Sequence, residues 1–245
     1  MRYEFIGKAL LINDRILAIA DIHLGYEENL TEKGVLLPRG EHLKETIKDL
    51  GEIFSGLKKR GIKLDKIVIV GDLKHQFGKI SGQEWSETLE LISFLEKNCK
   101  KVILVKGNHD NILGPIAYKK KLKIEDFYVE EEVAFLHGHK EYKEIEDKKI
   151  KLVVCGHFHP AIMISDKYKK ETYKCFLEGG WIGKKVVILP SFIHFVMGKE
   201  MLFMDLVRGF SSEFSLKLKL ENFNVQIIGD KVYDFGKLKD LRRLI

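Results

Sequence analysis

The chain has 245 residues, 45% of them hydrophobic and 32% charged, with 4 prolines. That balance is ordinary for a globular protein and excludes a disordered or fibrous chain. A formal net charge of +6 and a pI near 9.0 admit an anionic substrate without identifying one.

An apolar run at residues 9–12 is cut by Asn13, Asp14 and Arg15. It is too short for a secretory leader or a membrane span, so a cytoplasmic protein with no membrane contact is expected. Asn13-Asp14 reads as a tight hairpin turn into a second run at 16–20. Leu43, Ile47, Leu50, Phe54 and Leu57 then form one apolar helical stripe, with Gly61 as its stop. After the run at 67–70, Trp85, Leu89, Ile92 and Leu95 form a second stripe, with Ser81 as N-cap. Further runs follow at 102–105, 133–136, 152–155 and 186–189. Each is of strand length and apolar throughout, as strands buried on both faces are. Beyond Pro190, residues 214–220 and 224–228 alternate apolar and polar like hairpin strands, Gly229-Asp230 reads as a turn, and a short helix is expected over 237–244. The alternation predicts an α/β fold, expected as one domain over 1–245. Cys99, Cys155 and Cys175 form no CxxC pair and read as reduced thiols.

The chemistry-bearing residues follow the apolar runs. They are Asp21-Ile22-His23, Gly71-Asp72-Leu73-Lys74-His75, Gly107-Asn108-His109-Asp110, His137-Gly138-His139 and Gly156-His157-Phe158-His159. These segments hold 7 of the 9 histidines, and the carboxyl ends of parallel strands are where ligand groups converge. A pair of divalent ions needs oxygen and imidazole ligands with a carboxylate to bridge them. Extended backbone would put Asp21 and His23 on one side, and likewise His157 and His159. A lone D-x-H or H-x-H is usually chance; five such segments in order, each after a buried run, are not.

That order, D-x-H, G-D-x-x-H, G-N-H-D, H-G-H, G-H-x-H, resembles the calcineurin-like metallophosphoesterase superfamily. The Gly71–His75 form and the Leu37-Pro38-Arg39 segment look most like archaeal SbcD/Mre11-related and bacterial DNA-ligase-associated phosphoesterases. The resemblance implies a four-layer αββα sandwich, with two mixed sheets between helices. It implies one ion held by Asp21, His23 and His159, another by Asn108, His137 and His157, and Asp72 bridging them. Manganese is the favoured metal, with iron, zinc, nickel and magnesium as alternatives. His109 would stabilise or protonate the leaving oxygen, Asp110 would orient His109, and His75 matches a second phosphate-side histidine. The implied reaction is hydrolysis of a phosphodiester by a metal-bridging hydroxide, on nucleic acid or a cyclic nucleotide. Arg39 is a candidate phosphate clamp.

Two features depart from that pattern. Only 86 residues (245 minus 159) follow His159, and part of them must complete the sheets, so no separate DNA-binding cap is expected. The segment Phe192-Ile193-His194-Phe195 is more apolar than the loop expected there. Other groups read more plainly: His42 on the exposed side of its helix, His194 as a satisfied core histidine, and His139 as structural or beside the ligands. The basic runs at Lys119, Lys120, Lys121 and Lys123 beside Tyr118, and at Lys167, Lys169 and Lys170 beside Tyr168 and Tyr173, read first as solvated faces and second as nucleic-acid contacts. The competing functions are a phosphomonoesterase and a catalytically inactive scaffold of the same fold. The scaffold predicts lost ligands, whereas all seven and His109 are present.

Overall fold

The structure is a computed structural model and describes residues 1–35, 37–165, 168–203, 212 and 214–243. In chain order, the first half contains β1 (Tyr3–Ile6), β2 (Ala9–Ile12), β3 (Ile16–Ile19), α1 (Tyr26–Glu32), α2 (Glu41–Lys59), β4 (Leu64–Val70), α3 (Gly82–Glu96), β5 (Cys99–Val105), α4 (Gly114–Lys120) and β6 (Lys123–Glu125). The second half contains β7 (Phe127–Glu130), β8 (Val133–Leu136), β9 (Leu152–Cys155), β10 (Pro160–Ser165), β11 (Lys170–Trp181), β12 (Lys184–Ile188), β13 (Lys199–Glu200), β14 (Asn224–Ile228), β15 (Val232–Lys237) and α5 (Leu238–Leu241). Single 3-10 turns lie at Lys143–Glu146, Ser215–Lys217 and Leu220–Asn222.

Two mixed sheets form. The first has the order β1-β2-β3-β4-β5-β6, antiparallel as far as β3 and parallel from β3 to β6. The second follows β13-β10-β11-β12-β9-β8-β7, with the β14–β15 hairpin attached to β11. Its central strands β8, β9 and β12 are parallel.

The two faces of each central strand enter different cores, which is why these strands are apolar at every position. Leu17, Ile19, Ile67, Ile69 and Leu104 face Leu43, Leu50, Phe54, Leu57, Leu91, Ile92 and Leu95 of α2 and α3. Ala18, Val68, Val70, Ile103 and Val105 pack between the sheets against Phe135, Val154, Phe176 and Val187. On the far side, Ala134, Leu136, Val153, Cys155 and Ile188 meet Ile145, Met201, Phe214, Leu220 and Leu238. The result is the expected four-layer α/β sandwich. Its outermost layer on the second sheet is built from 3-10 turns and α5 rather than from long helices.

The helical stripes fall on α2 and α3, and Ser81 caps α3 by accepting from Glu84 N at 3.0 Å. Asn13 and Asp14 both have positive φ, and Arg15 N donates to Ile12 O at 3.0 Å, as a primed hairpin turn requires. Two expectations are corrected. Residues 214–220 alternate like a strand, yet Leu216 is 61% exposed while Phe214, Ser215, Leu218 and Leu220 are buried. The anchoring of those side chains in the outer core coils the segment into 3-10 turns, so tertiary packing overrides the local pattern. His42 is fully buried rather than on the exposed side of α2, because the first turn of that helix tucks beneath the loop after β3. Of the helix expected over 237–244, α5 occupies Leu238–Leu241; Leu244 and Lys167 lie outside the described residues. The three cysteines are free, with Cys155 and Cys175 buried. No helix among the described residues is long and apolar enough to cross a membrane.

Candidate metal centre

Strands β3, β4 and β5 are parallel neighbours in the first sheet, as are β8 and β9 in the second. Their carboxyl ends point the five histidine- and aspartate-bearing loops toward one place between the sheets. The loops do not arrive there on extended backbone. Asp21, His23, Asp72, His157 and His159 all have positive φ, between 47° and 73°. Left-handed backbone at non-glycine residues is costly and is kept where surrounding structure enforces it. In Asp21-Ile22-His23 the middle residue is buried in the core beneath α2, and in His157-Phe158-His159 the middle residue is buried in the outer core. Each buried anchor turns its two flanking side chains back toward the site. Backbone bonds lock the turns: Asp21 N donates to Gly71 O at 3.1 Å, His23 N to Asp72 O at 2.9 Å, and Phe192 N to Asp21 O at 3.1 Å. The apolar 192–195 segment therefore braces the first loop from below. His42 Nε2–H donates to Ile22 O at 2.5 Å, and Glu27 accepts from the His42 amide at 3.0 Å.

The ligand-type atoms form three overlapping groups: His23 with His75 and His109 toward the rim, and two that share Asp72. Of the two that share Asp72, the first comprises Asp21, His23, Asp72 and His159, and the second Asp72, His137 and His157. In the first, His23 Nε2 lies 3.4 Å from Asp72 Oδ2 and 3.3 Å from His159 Nε2, which is 3.3 Å from Asp21 Oδ1. In the second, His137 Nε2 lies 3.2 Å from the same Asp72 Oδ2 and 3.1 Å from Asn108 Oδ1. Ligands about 2.1 Å from a common ion sit about 3.0–3.4 Å apart in octahedral or tetrahedral arrangements. The spacing therefore fits a cation on either side of Asp72 Oδ2.

Two further observations support that fit. Asp21 and Asp72 are both buried, and among the described residues no lysine or arginine forms an ion pair with either. Buried carboxylates need a positive partner. His137 Nδ1 lies 3.1 Å from the Val70 carbonyl, to which its N–H donates. That leaves the Nε2 lone pair against the Asp72 carboxylate, which is repulsive unless a proton or a metal ion lies between them. Burial opposes the charge on His137, but Asp72 and Asp21 together raise its pKa to about 9, so a proton fills the position when nothing else does. Burial likewise opposes ionisation of Asp72, yet its imidazole neighbours, His137 foremost, hold it well below the ordinary carboxylate range. Burial and then neighbouring imidazoles lower His157 and His75 to about 4 and His23 well below its ordinary value. These rings are neutral near pH 7, the form in which imidazole binds metal.

Close approach is possible because three loop positions lack a side chain; a Cβ on Gly156 would lie 2.7 Å from Asp21 Oδ2. A Cβ on Gly107 would lie 2.1 Å from Asp72 Oδ1, and one on Gly71 would lie 2.2 Å from His137 Nδ1.

His109 and His75 lie at the rim. The His109 amide donates to Asp72 Oδ1 at 2.9 Å, and its Nε2 is 3.9 Å from Asp72 Oδ2. His75 Nδ1 is 3.2 Å from His23 Nδ1, and the His75 and His109 rings stack at 5.3 Å. Two expected roles are corrected. Asp110 is turned away from the His109 ring. Its carboxylate accepts from Gly107 N at 2.9 Å, Leu73 N at 3.0 Å and Lys74 N at 3.3 Å, tying two ligand loops together. The orienting partner of His109 is instead the His75 carbonyl, 2.5 Å from Nδ1. Arg39 is exposed and lines a surface cavity with Glu27, Glu28 and Glu32. That acidic neighbourhood opposes the phosphate contact expected of it. His139 is half-buried with its ring 5.2 Å from His137, beside the second group. His194 lies apart from both groups, with Nε2 3.4 Å from Lys8 Nζ and 3.5 Å from Asp49.

The sequence matches the model of calcineurin-like phosphoesterases over residues 14–161, more than half of the chain. The chain belongs to that family. Family membership implies divalent metal ions, and the Asp72-centred groups are where the described residues could hold them. Among solved structures, the nuclease MPE of Pseudomonas putida is similar at 20% identity with a TM-score of 0.62, covering 96% of this chain and 100% of its own. Vps29 complexed with zinc, from Entamoeba histolytica, matches at 16% identity and a TM-score of 0.36 over 72% of this chain and 73% of its own. A predicted phosphoesterase from Streptococcus pneumoniae TIGR4 matches at 12% identity and 0.35 over 90% and 93%. At these identities the first likeness shows the fold. A search among curated proteins finds no match.

Proposed function

We propose that this family member is a two-metal phosphodiesterase. Asp21, His23 and His159 would hold one cation, Asn108, His137 and His157 the other, and Asp72 both. The observation that carries the reading is the single carboxylate oxygen, Asp72 Oδ2, facing His23 Nε2 at 3.4 Å and His137 Nε2 at 3.2 Å from opposite groups. When bound, two such ions lower the pKa of water toward neutrality and neutralise the charge of the phosphate oxygens. Manganese is the favoured occupant by resemblance to the family, and the mixed carboxylate, amide and imidazole set admits it along with iron, zinc and nickel.

The chain's own residues would supply positioning and proton transfer. The His75 carbonyl fixes the Nδ1–H tautomer of His109, so Nε2 is the atom that faces the phosphate. A protonated Nε2 can deliver its proton to the departing oxygen, while the neutral His75 ring beside it can accept a hydrogen bond. Asp110 holds the loops carrying Asp72 and Asn108 at fixed separation, which favours preorganised electrostatics. The two imidazoles at the rim and the nuclease of similar fold both favour a diester over a monoester.

A metal-by-substrate screen tests the reading. Diester and monoester model substrates are assayed side by side with manganese, zinc, magnesium, nickel and iron. Diester cleavage is expected, with Asp72→Asn losing both ions and all turnover. Cleavage of the monoester alone overturns the diester preference; a metal-loaded protein inert to every phosphoester overturns the enzyme itself.

A further inference from the structure

One large apolar side chain at the rim is neither packed into a core nor used by the chemistry above. Phe77 is 59% exposed. One face of its ring rests on His109, with centroids 3.8 Å apart and planes tilted by 36°. His109 in turn meets His23 edge-on at 4.7 Å. The rings therefore run outward from the metal centre in the order His23, His109, Phe77, and the outermost presents an open aromatic face.

The loop beneath Phe77 is held rigid by two buried groups. The Lys74 side chain is fully buried, and its ammonium donates to the Gln76 carbonyl and, at 3.3 Å, to the Lys79 carbonyl, spanning the phenylalanine. Glu84 of α3 accepts from the His75 amide at 2.8 Å and the Gln76 amide at 2.9 Å. A loose loop would fold an apolar ring inward to escape water; these ties prevent that. A rigid exposed aromatic face loses little entropy when something stacks on it.

We propose that Phe77 is the platform of a nucleobase subsite, on which the base of a nucleoside phosphate stacks while its phosphate lies beside His109 Nε2, over the cations that the Asp72-centred groups would hold. The proposal rests on the phosphoesterase reading and narrows the substrate to base-bearing phosphoesters. Every base offers a π-face, so the subsite accepts bases without selecting among them. Its effect is to orient the phosphate against His109 Nε2, the atom on the inner side of the ring that Phe77 covers.

The test separates binding from turnover. The manganese-loaded full chain is titrated with a 2-aminopurine nucleoside 5′-phosphonate, which has no ester bond to cleave and whose fluorescence falls on stacking. Wild type is expected to quench it, and to bind it about tenfold or more tighter than the abasic ribose phosphonate used as competitor. Phe77→Ala is expected to abolish the quench and collapse that ratio, Phe77→Trp to keep both, and Phe77→Leu to prop His109 without restoring the quench. In kinetics, Phe77→Ala should raise KM for a base-bearing diester far more than for its abasic counterpart. A quench unchanged in Phe77→Ala, or an equal loss for base-bearing and abasic ligands, overturns the subsite. A Phe77-dependent quench with no phosphoester cleaved keeps the subsite and sinks the catalytic reading; cleavage with no such quench does the reverse. A longer single strand that binds more tightly than the mononucleotide assigns the subsite to polynucleotides, and equal affinity assigns it to free nucleotides.

Discussion

On the proposed reading, replacing His109 by alanine removes a proton donor but no side chain of either Asp72-centred group. His109→Ala is therefore expected to keep both ions and lose about 10²–10⁴-fold in turnover. Metal analysis of the purified variant checks this, and loss of one ion equivalent would mean that His109 is a ligand. The left-handed residues make a second prediction at this scale. His159 has φ 47°. Alanine and glycine at 159 remove the same imidazole, but only glycine relaxes that backbone, by about 1 kcal/mol. In metal-free protein His159→Gly should melt roughly 2–4 °C above His159→Ala. Equal melting temperatures would show that the left-handed conformation carries no strain.

The loops at the strand ends are the working elements, and their packing leaves no slack. Gly107→Ala would drive a methyl group into the Asp72 carboxylate and amide. A destabilisation of about 1–3 kcal/mol is expected, with weaker metal binding at both positions because Asp72 is shared. Calorimetry of metal titration checks it: wild-type affinity at either position would mean that the loop simply moves aside. The strands that carry these loops were legible in the sequence because burial on both faces leaves no polar position in residues 16–20, 67–70 or 152–155. The motifs were legible because their residue types and order are chemically restrictive. Other elements were not. The β10–β11 hairpin mixes Lys170, Glu171 and Lys174 with paired glycines, which hides a twelve-residue strand. Left-handed φ at Asp21 or His157 has no local signature, since glycine is its usual marker. The partners of Asp110, and the burial of His42 beneath Ile22, depend on contacts between distant loops. Lys74 lies inside the Gly71–His75 motif and Phe77 just beyond it, but a lysine reads as exposed and a loop phenylalanine as core.

At the scale of the molecule, the second sheet carries a buried lysine behind the site. Lys174 Nζ donates to Ser191 Oγ at 2.8 Å and Val196 O at 2.9 Å. Burial first, and then the Lys8 ammonium, lowers its pKa from 10.5 to about 7. Between those values the unfolded chain holds a proton that the folded chain has shed. Stability attributable to this group therefore rises with pH from about 7 to about 10, by up to a few kcal/mol, and is lowest below pH 7. Lys174→Met should flatten that rise, as read from urea midpoints at about pH 7 and about pH 9.5. An unchanged slope would assign the pH dependence elsewhere.

The division of the ligands between the sheets also bears on when the protein acquires its ions. Asp21, His23, Asp72 and Asn108 belong to the first sheet, and His137, His157 and His159 to the second. On the proposed reading, a nascent chain that has emerged only as far as β7 presents a half-cup with a single imidazole from the ligand set, too weak a chelator to retain a divalent ion. Metal capture would then be a late event of biosynthesis, coupled to the docking of one sheet on the other. Nascent chains arrested before Val133 should emerge metal-free, and those arrested far enough past His159 for β9 to clear the exit tunnel should not.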